Sequence, residues 1–241
     1  PDMKRLIICL YILFSALHLT AGEQYIYTKI SNHNGLTSTV NCIYKEKDGV
    51  VWLGTPRGLY SFNGYNIKHF NDSLFIGRAV YDIEEDLKGG IWVLTDRGII
   101  HRKRGEEVFN VVSCVQEKET PSLMSMCQDE DGLWFGGVGR IYRYTYKEDQ
   151  LSPFCNLENR NCSIITKTGI STLMCSSSNG GILVNTQTGE VTNLPTDSPD
   201  EISAVLLDSK GRLWIAGYNH GIWAYDKDWT LLRSYSTKNS S

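Results

Sequence analysis

A Trp-centred unit recurs along this chain at a period near forty residues, and few folds accept that spacing. "KDGVVWLGTPRGLYSFNG" returns as "LKGGIWVLTDRGIIHRKRG", as "DEDGLWFGGVGRIYRYTYKED" and as "DSKGRLWIAGYNHGIWAYDKD". The anchors Trp52, Trp92, Trp134 and Trp214 are separated by 40, 42 and 80 residues. The double step predicts a hidden copy, and "TLMCSSSNGGILVNTQTGE" supplies it, with Met174 at the anchor position and Gly181-Ile182 aligned on Gly221-Ile222.

Each period reads as four short strands. In the first, "TVNCIYK" is followed by the Asp48-Gly49 turn, Val50 to Gly54, the Thr55 to Gly58 turn, Leu59 to Phe62, the Asn63-Gly64 turn and Asn66 to Phe70. β-Branched and aromatic residues fill the strands, and Gly, Asn and Asp mark the turns. No segment beyond the first twenty-two residues has helical periodicity. Four-stranded units of this length, repeated and rich in Gly and Trp, predict an all-β chain, a β-propeller of antiparallel blades. The predicted blades lie near 39–70, 79–112, 123–154, 163–194 and 202–236, with an N-terminal strand at 25–30. The anchors Trp52, Trp92, Trp134, Met174 and Trp214 are expected to wedge against neighbouring blades as structural core. Five repeats are visible. An N-terminal strand usually completes the last blade, yet "TLLRSY" already provides its fourth strand. The expectation is a part of a seven-bladed ring, with a closed five-bladed ring as the alternative.

Residues 1–22 differ in kind. Lys4 and Arg5 precede the apolar "LIICLYILFSALHLTAG", which reads as a secretory signal peptide starting at Met3, with a retained anchor as the alternative. The propeller is therefore assigned to 23–241 and to an exported, periplasmic setting. Six cysteines follow the signal, an even number that permits disulfides. Cys155 and Cys162 are the closest pair and open to a bridge; Cys42 and Cys127 read as buried free thiols. A net charge of −3 leaves no footprint for nucleic acid. No Cys/His cluster has metal spacing, and no cofactor is expected.

Propellers bind ligands where loops of successive blades converge. Before the closing glycine of each central turn stand Arg57, Arg97, Val138, Gly180 and His220; one residue earlier stand Pro56, Asp96, Gly137, Asn179 and Asn219. Arg57, Arg97, Tyr218, Asn219 and His220, with Arg78 from a loop on the same rim, are the types that hold a polyhydroxylated ligand. Catalytic residues are not assigned. His33, His69, His101 and His220 fall in different parts of the repeats, and Asp82, Glu84 and Glu85 crowd one strand of one blade, so no general acid/base pair is assembled.

The run "YTKISNHNGLTSTVNCIYKEKDGVVWLGTPRGLYSFNGYNIKHF" resembles the opening of the periplasmic sensor region of Bacteroides-type hybrid two-component systems, built from two-component regulator propeller repeats. Gly35-Leu36-Thr37, Asp48-Gly49, Trp52-Leu53-Gly54-Thr55, Gly58-Leu59 and Phe62-Asn63-Gly64 carry the resemblance. It implies a non-catalytic domain that senses oligosaccharides for a two-component system. The implied partners are further blades or a second propeller, a homodimer, and a membrane reached through a downstream span or a retained anchor. A protein-interaction scaffold and a propeller lyase or glycosidase are the rival readings.

Overall fold

The computed structural model describes residues 29–30, 35–112, 122–177, 180–194, 201–218 and 220–236. The predicted signal peptide, most of the 25–30 strand, Cys114, Asn179 and Asn219 lie outside them. The described residues form nineteen strands and no helix.

Five antiparallel blades follow one another in a ring. Blade 1 is β1 (Cys42–Lys45), β2 (Val51–Thr55), β3 (Gly58–Phe62) and β4 (Ile67–His69). Blade 2 is β5 (Val80–Glu85), β6 (Ile91–Thr95), β7 (Gly98–Arg102) and β8 (Asn110–Val111). Blade 3 is β9 (Leu123–Asp129), β10 (Gly132–Thr145) and β11 (Gln150–Asn161). Blade 4 is β12 (Ile164–Gly169), β13 (Thr172–Ser177), β14 (Gly180–Asn185) and β15 (Val191–Asn193). Blade 5 is β16 (Ile202–Leu207), β17 (Leu213–Gly217), β18 (Gly221–Tyr225) and β19 (Leu231–Tyr235). Sheet order follows chain order in every blade. Blade 3 keeps the four-stranded plan because β10 folds back on itself: its first half pairs with β9, its second with β11, and the Tyr146 N–H closes the hairpin on Asp131 O at 2.9 Å.

The period-2 alternation of the second strand in each blade sets the packing. Trp52 of β2 packs with Ile83, Val93 and Ile100 of blade 2; Trp92 of β6 packs with Met126, Leu133 and Phe135 of blade 3. Trp134 packs with Ile165, Cys175 and Val184 of blade 4, and Met174 with Ile202, Leu213 and Ile215 of blade 5. Each of these anchors is 4% exposed or less, so each acts as a wedge onto the next blade. Trp214 differs. It is only half-buried and belongs to no buried cluster, and Leu206 and Ile222 on the same face are 62% and 44% exposed. Among the described residues no hydrophobic cluster joins blade 5 to blade 1. On blade 1 the corresponding face, Leu53 and Tyr60, is instead covered by Leu36, with Ile30 packed against it.

A second repeated device holds the anchors. The Asp that opens the first turn of the blade accepts the indole N–H: Trp92 to Asp86 at 2.9 Å, Trp134 to Asp129 at 3.0 Å, Trp214 to Asp208 at 3.0 Å. The same carboxylates cap the turn, as Asp86 does for the N–H groups of Lys88 and Gly90. In blade 1 the position is Glu46, whose carboxylate instead takes Arg102 Nη2 at 2.7 Å, and the Trp52 indole N–H is buried without a partner. The turn aspartates are therefore latches for the wedge as well as turn formers.

Two details correct the sequence reading. In blade 4, Ser177 pairs with Gly180, which has φ +94°, so Gly180 rather than Gly181 closes the central turn; that turn is one residue shorter than the blade 5 turn, where Gly217 pairs with Gly221. Cys155 and Cys162 are free thiols, as are Cys42, Cys127 and Cys175. Burial pushes the Cys127 and Cys175 thiols well above their ordinary range and Cys155 up to about 11, which keeps them unreactive.

Candidate functional site

The central turns and the connections between blades share one rim, and repeated hydrogen bonds stitch them together. In blades 2, 3 and 5 the first residue of the turn donates its N–H to the carbonyl just before the blade's inner strand: Asp96 to Ala79 at 3.0 Å, Val138 to Ser122 at 3.1 Å, Tyr218 to Glu201 at 2.9 Å. The turns of blades 1 and 2 are also locked internally. Thr55 and Thr95 donate their hydroxyls to Gly58 O and Gly98 O, both at 2.9 Å, and accept from the N–H groups of Arg57 and Arg97. Gly58 and Gly98 have φ of +126° and +129°, which a side chain would strain.

β-Bulges open this rim. Between Val80 and Asp82, and between Leu123 and Ser125, the inner strand holds one residue more than its partner. The extra residues are Tyr81 and Met124, which are turned outward, 42% and 37% exposed. Together with Thr95, Asp96, Ser122, Leu123, Val138 and Ser163 they line a cavity of about 410 Å³ shared by blades 2, 3 and 4. A ring face, two aliphatic side chains, a carboxylate and the Ser122 and Ser163 hydroxyls converge there, the mixture that receives a small polyhydroxylated molecule.

None of the described predicted site residues lines this cavity. Arg97 follows Asp96 in the blade 2 turn and is exposed; Arg57 occupies the equivalent turn of blade 1. Arg78 is half-buried in the loop leading to β5, its N–H bonded to Phe75 O at 3.1 Å. Tyr218, 62% exposed, and His220 share the blade 5 turn.

The acidic run of β5 faces seams. Asp82 accepts the Met126 N–H of blade 3 at 2.8 Å, a clip between two inner strands, and Glu85 accepts the Tyr44 hydroxyl of blade 1 at 3.3 Å. Burial pushes Asp82 up to about 6 despite the N–H groups of Met126 and Ile83. Burial, and then the Asp82 charge, push Glu84 up to about 8. His69 stacks on Tyr60, and His101 stacks on Trp92 while bonding Asp86 at 3.2 Å. His101 is thus tied into its own blade by a hydrogen bond, whereas the His69 Nε2 is buried without a hydrogen-bond partner. Among the described residues no group of three or more His, Cys, Asp or Glu is placed to hold a metal.

Fold and rim define a β-propeller with an open cavity on one rim. Within that class, the chain carries two component regulator propeller repeats, which match residues 34–57 and 196–219. No curated protein sequence matches the chain. Among solved structures it is similar to the extracellular domain of a hybrid two component system from B. thetaiotaomicron, with 18% identity and a TM-score of 0.65 over 83% of this chain. The chain spans 28% of the length of that domain. It is also similar to a catalytically inactive virginiamycin B lyase from Staphylococcus aureus with quinupristin, at 14% identity and TM-score 0.67, covering 87% of this chain and 72% of that one. A streptogramin B lyase gives 17% identity and TM-score 0.68, covering 84% and 70%. These likenesses are of fold.

Proposed function

We propose that this chain is a non-catalytic ligand-sensing propeller of an exported two-component signalling protein, and that its ligands are oligosaccharides. The regulator propeller repeats carry the reading, and the cavity beside Tyr81 and Asp96 supplies a place for a sugar: a ring face for stacking and a carboxylate and hydroxyls for its hydroxyl groups. The likeness to an extracellular domain supports an exported, periplasmic location. The exposed Leu206, Trp214 and Ile222 face supports further blades beyond blade 5, in keeping with the seven-bladed expectation. A propeller lyase is the second reading, favoured by the lyase folds; the hydrogen bond that holds His101 to Asp86 within blade 2 weighs against it.

A thermal-shift screen against plant and host oligosaccharides tests the proposal, since a ligand that binds only the folded state raises Tm by mass action. At least one glycan is expected to raise Tm. Tyr81→Ala and Arg97→Ala should weaken that shift while leaving the unliganded Tm within a few degrees, because both side chains are exposed. Arg57→Ala and His220→Ala extend the test along the rim. A glycan shift indifferent to all four substitutions would move the site off this rim.

A further inference from the structure

On the opposite rim, where the first and third turns of blades 2 and 3 meet, a larger cavity of about 640 Å³ opens between the two blades. Its walls are aromatic: Trp92, His101, Tyr144 and Tyr146. Trp92 is stacked by His101 at 4.1 Å and approached by Tyr144 at 4.9 Å. Its charged lining is balanced, with Lys103 and Arg104 from blade 2 facing Glu130 and Asp149 from blade 3.

Blade 2 departs from its sister repeats at this place. Opposite the anchor on the third strand, blades 1 and 5 have Ser61 and Ala224, but blade 2 has His101. Two residues before the anchor, blades 1, 4 and 5 have Val50, Thr172 and Arg212, whereas blades 2 and 3 have Gly90 and Gly132, and only in blade 2 does a histidine occupy the space. A methyl group on Gly90 would lie 2.5 Å from His101 Nε2 and 2.7 Å from Asp86 Oδ2, so the missing side chain is what admits the His101–Asp86 pair. Asp86 holds both rings by their polar edges, Trp92 Nε1 at 2.9 Å and His101 Nε2 at 3.2 Å, which fixes the wall before any ligand arrives.

We infer that this cavity is a second binding site, for a single neutral pyranose or similar polyhydroxylated ring, separate from the rim site of the proposed function. The volume lies in the range of small-ligand sites. Trp92 and Tyr144 are buried in the seam and back the wall, while the partly exposed rings of His101 and Tyr146 offer surface to the apolar side of a sugar. The charges decide the class. Lys103 and Arg104 only donate, and Glu130 and Asp149 when ionised only accept. A hydroxyl does both. An anion would satisfy Lys88, Lys103 and Arg104 but face Asp86, Glu130 and Asp149, and a cation would meet the reverse conflict.

The test is a titration followed by the Trp92 indole N–H resonance in 1H–15N spectra, assigned with Trp92→Phe. The probes are D-glucose, D-galactose, D-mannose, D-xylose, L-arabinose and L-fucose, with sodium acetate, inorganic phosphate and tetramethylammonium as charged counterparts. At least one sugar is expected to move the resonance saturably, and Arg104→Ala and Glu130→Ala each to weaken it by roughly tenfold, the loss of one charge-assisted hydrogen bond. Both side chains are exposed, so both variants fold. Tyr81→Ala should leave the titration unchanged, which separates this site from the rim cavity. No response to any sugar, a response to the ions alone, or a sugar response untouched by both substitutions overturns the inference.

Discussion

Trp92→Ala lowers the unfolding free energy by about 3–5 kcal/mol, the usual cost of deleting a buried aromatic ring and leaving its cavity. In urea denaturation this appears as a lower midpoint, and in a thermal scan as a Tm drop on the order of 10 °C for a chain of this size. The cause is specific. Trp92 is 2% exposed, fills the seam to blade 3 and donates to Asp86, so its removal empties the seam and takes one donor from that carboxylate. Trp214→Ala removes the same residue type at the same repeat position. It should cost less than about 2 kcal/mol, because Trp214 is only half-buried and seats against no further blade among the described residues. Equal losses for the two variants would mean that the Trp214 face is covered in solution.

The second large effect is a pH dependence set by Glu84. Its carboxyl is raised to about 8 in the folded chain from an ordinary value near 4.5, and Asp82 is raised to about 6. The folded state therefore holds more protons than the unfolded state between these values. The contribution of the two carboxyls is fully present below about pH 4 and is lost as pH rises to about 8, on the order of 5 kcal/mol from Glu84. Asp86 works in the other direction. Its carboxylate is held at about 2: burial opposes this, but His101, Trp92 and the turn N–H groups outweigh it. Its contribution is present above pH 4 and lost as pH falls towards 2. The stability maximum should lie near pH 4–5. Glu84→Gln should flatten the alkaline decline and leave the acid limb in place, as read by urea midpoints across pH. An unchanged alkaline limb would show that Glu84 is solvated and titrates normally.

The blade plan is legible in the sequence because a propeller repeats its turn chemistry. Gly58, Gly98 and Gly221 sit at positive φ where the repeat puts a glycine, and the anchor spacing reveals even the copy in which Met174 replaces Trp. The turn positions that frame the rim are legible for the same reason, Asp96 and Val138 among them. Tyr81 and Met124 are not, because a bulge changes strand pairing and leaves turn residues untouched. A faint signal exists: Val80 and Ile83 both bury although three apart, which breaks alternation on a strand. The Asp–Trp latches are harder still, since Asp86, Asp129 and Asp208 read locally as turn formers and only the folded hairpin brings the indole N–H to them. The one-residue difference between the central turns of blades 4 and 5 is hidden by the paired Gly180-Gly181, either of which fits an ungapped alignment.

The most direct test of a sensing rather than catalytic propeller is isothermal titration of the chain with the glycan that raises its Tm, followed by mass spectrometry of the recovered sugar. Saturable heat with the glycan recovered at unchanged mass is the predicted result. Cleaved or eliminated sugar in the recovered material would contradict the account and make this rim an active site.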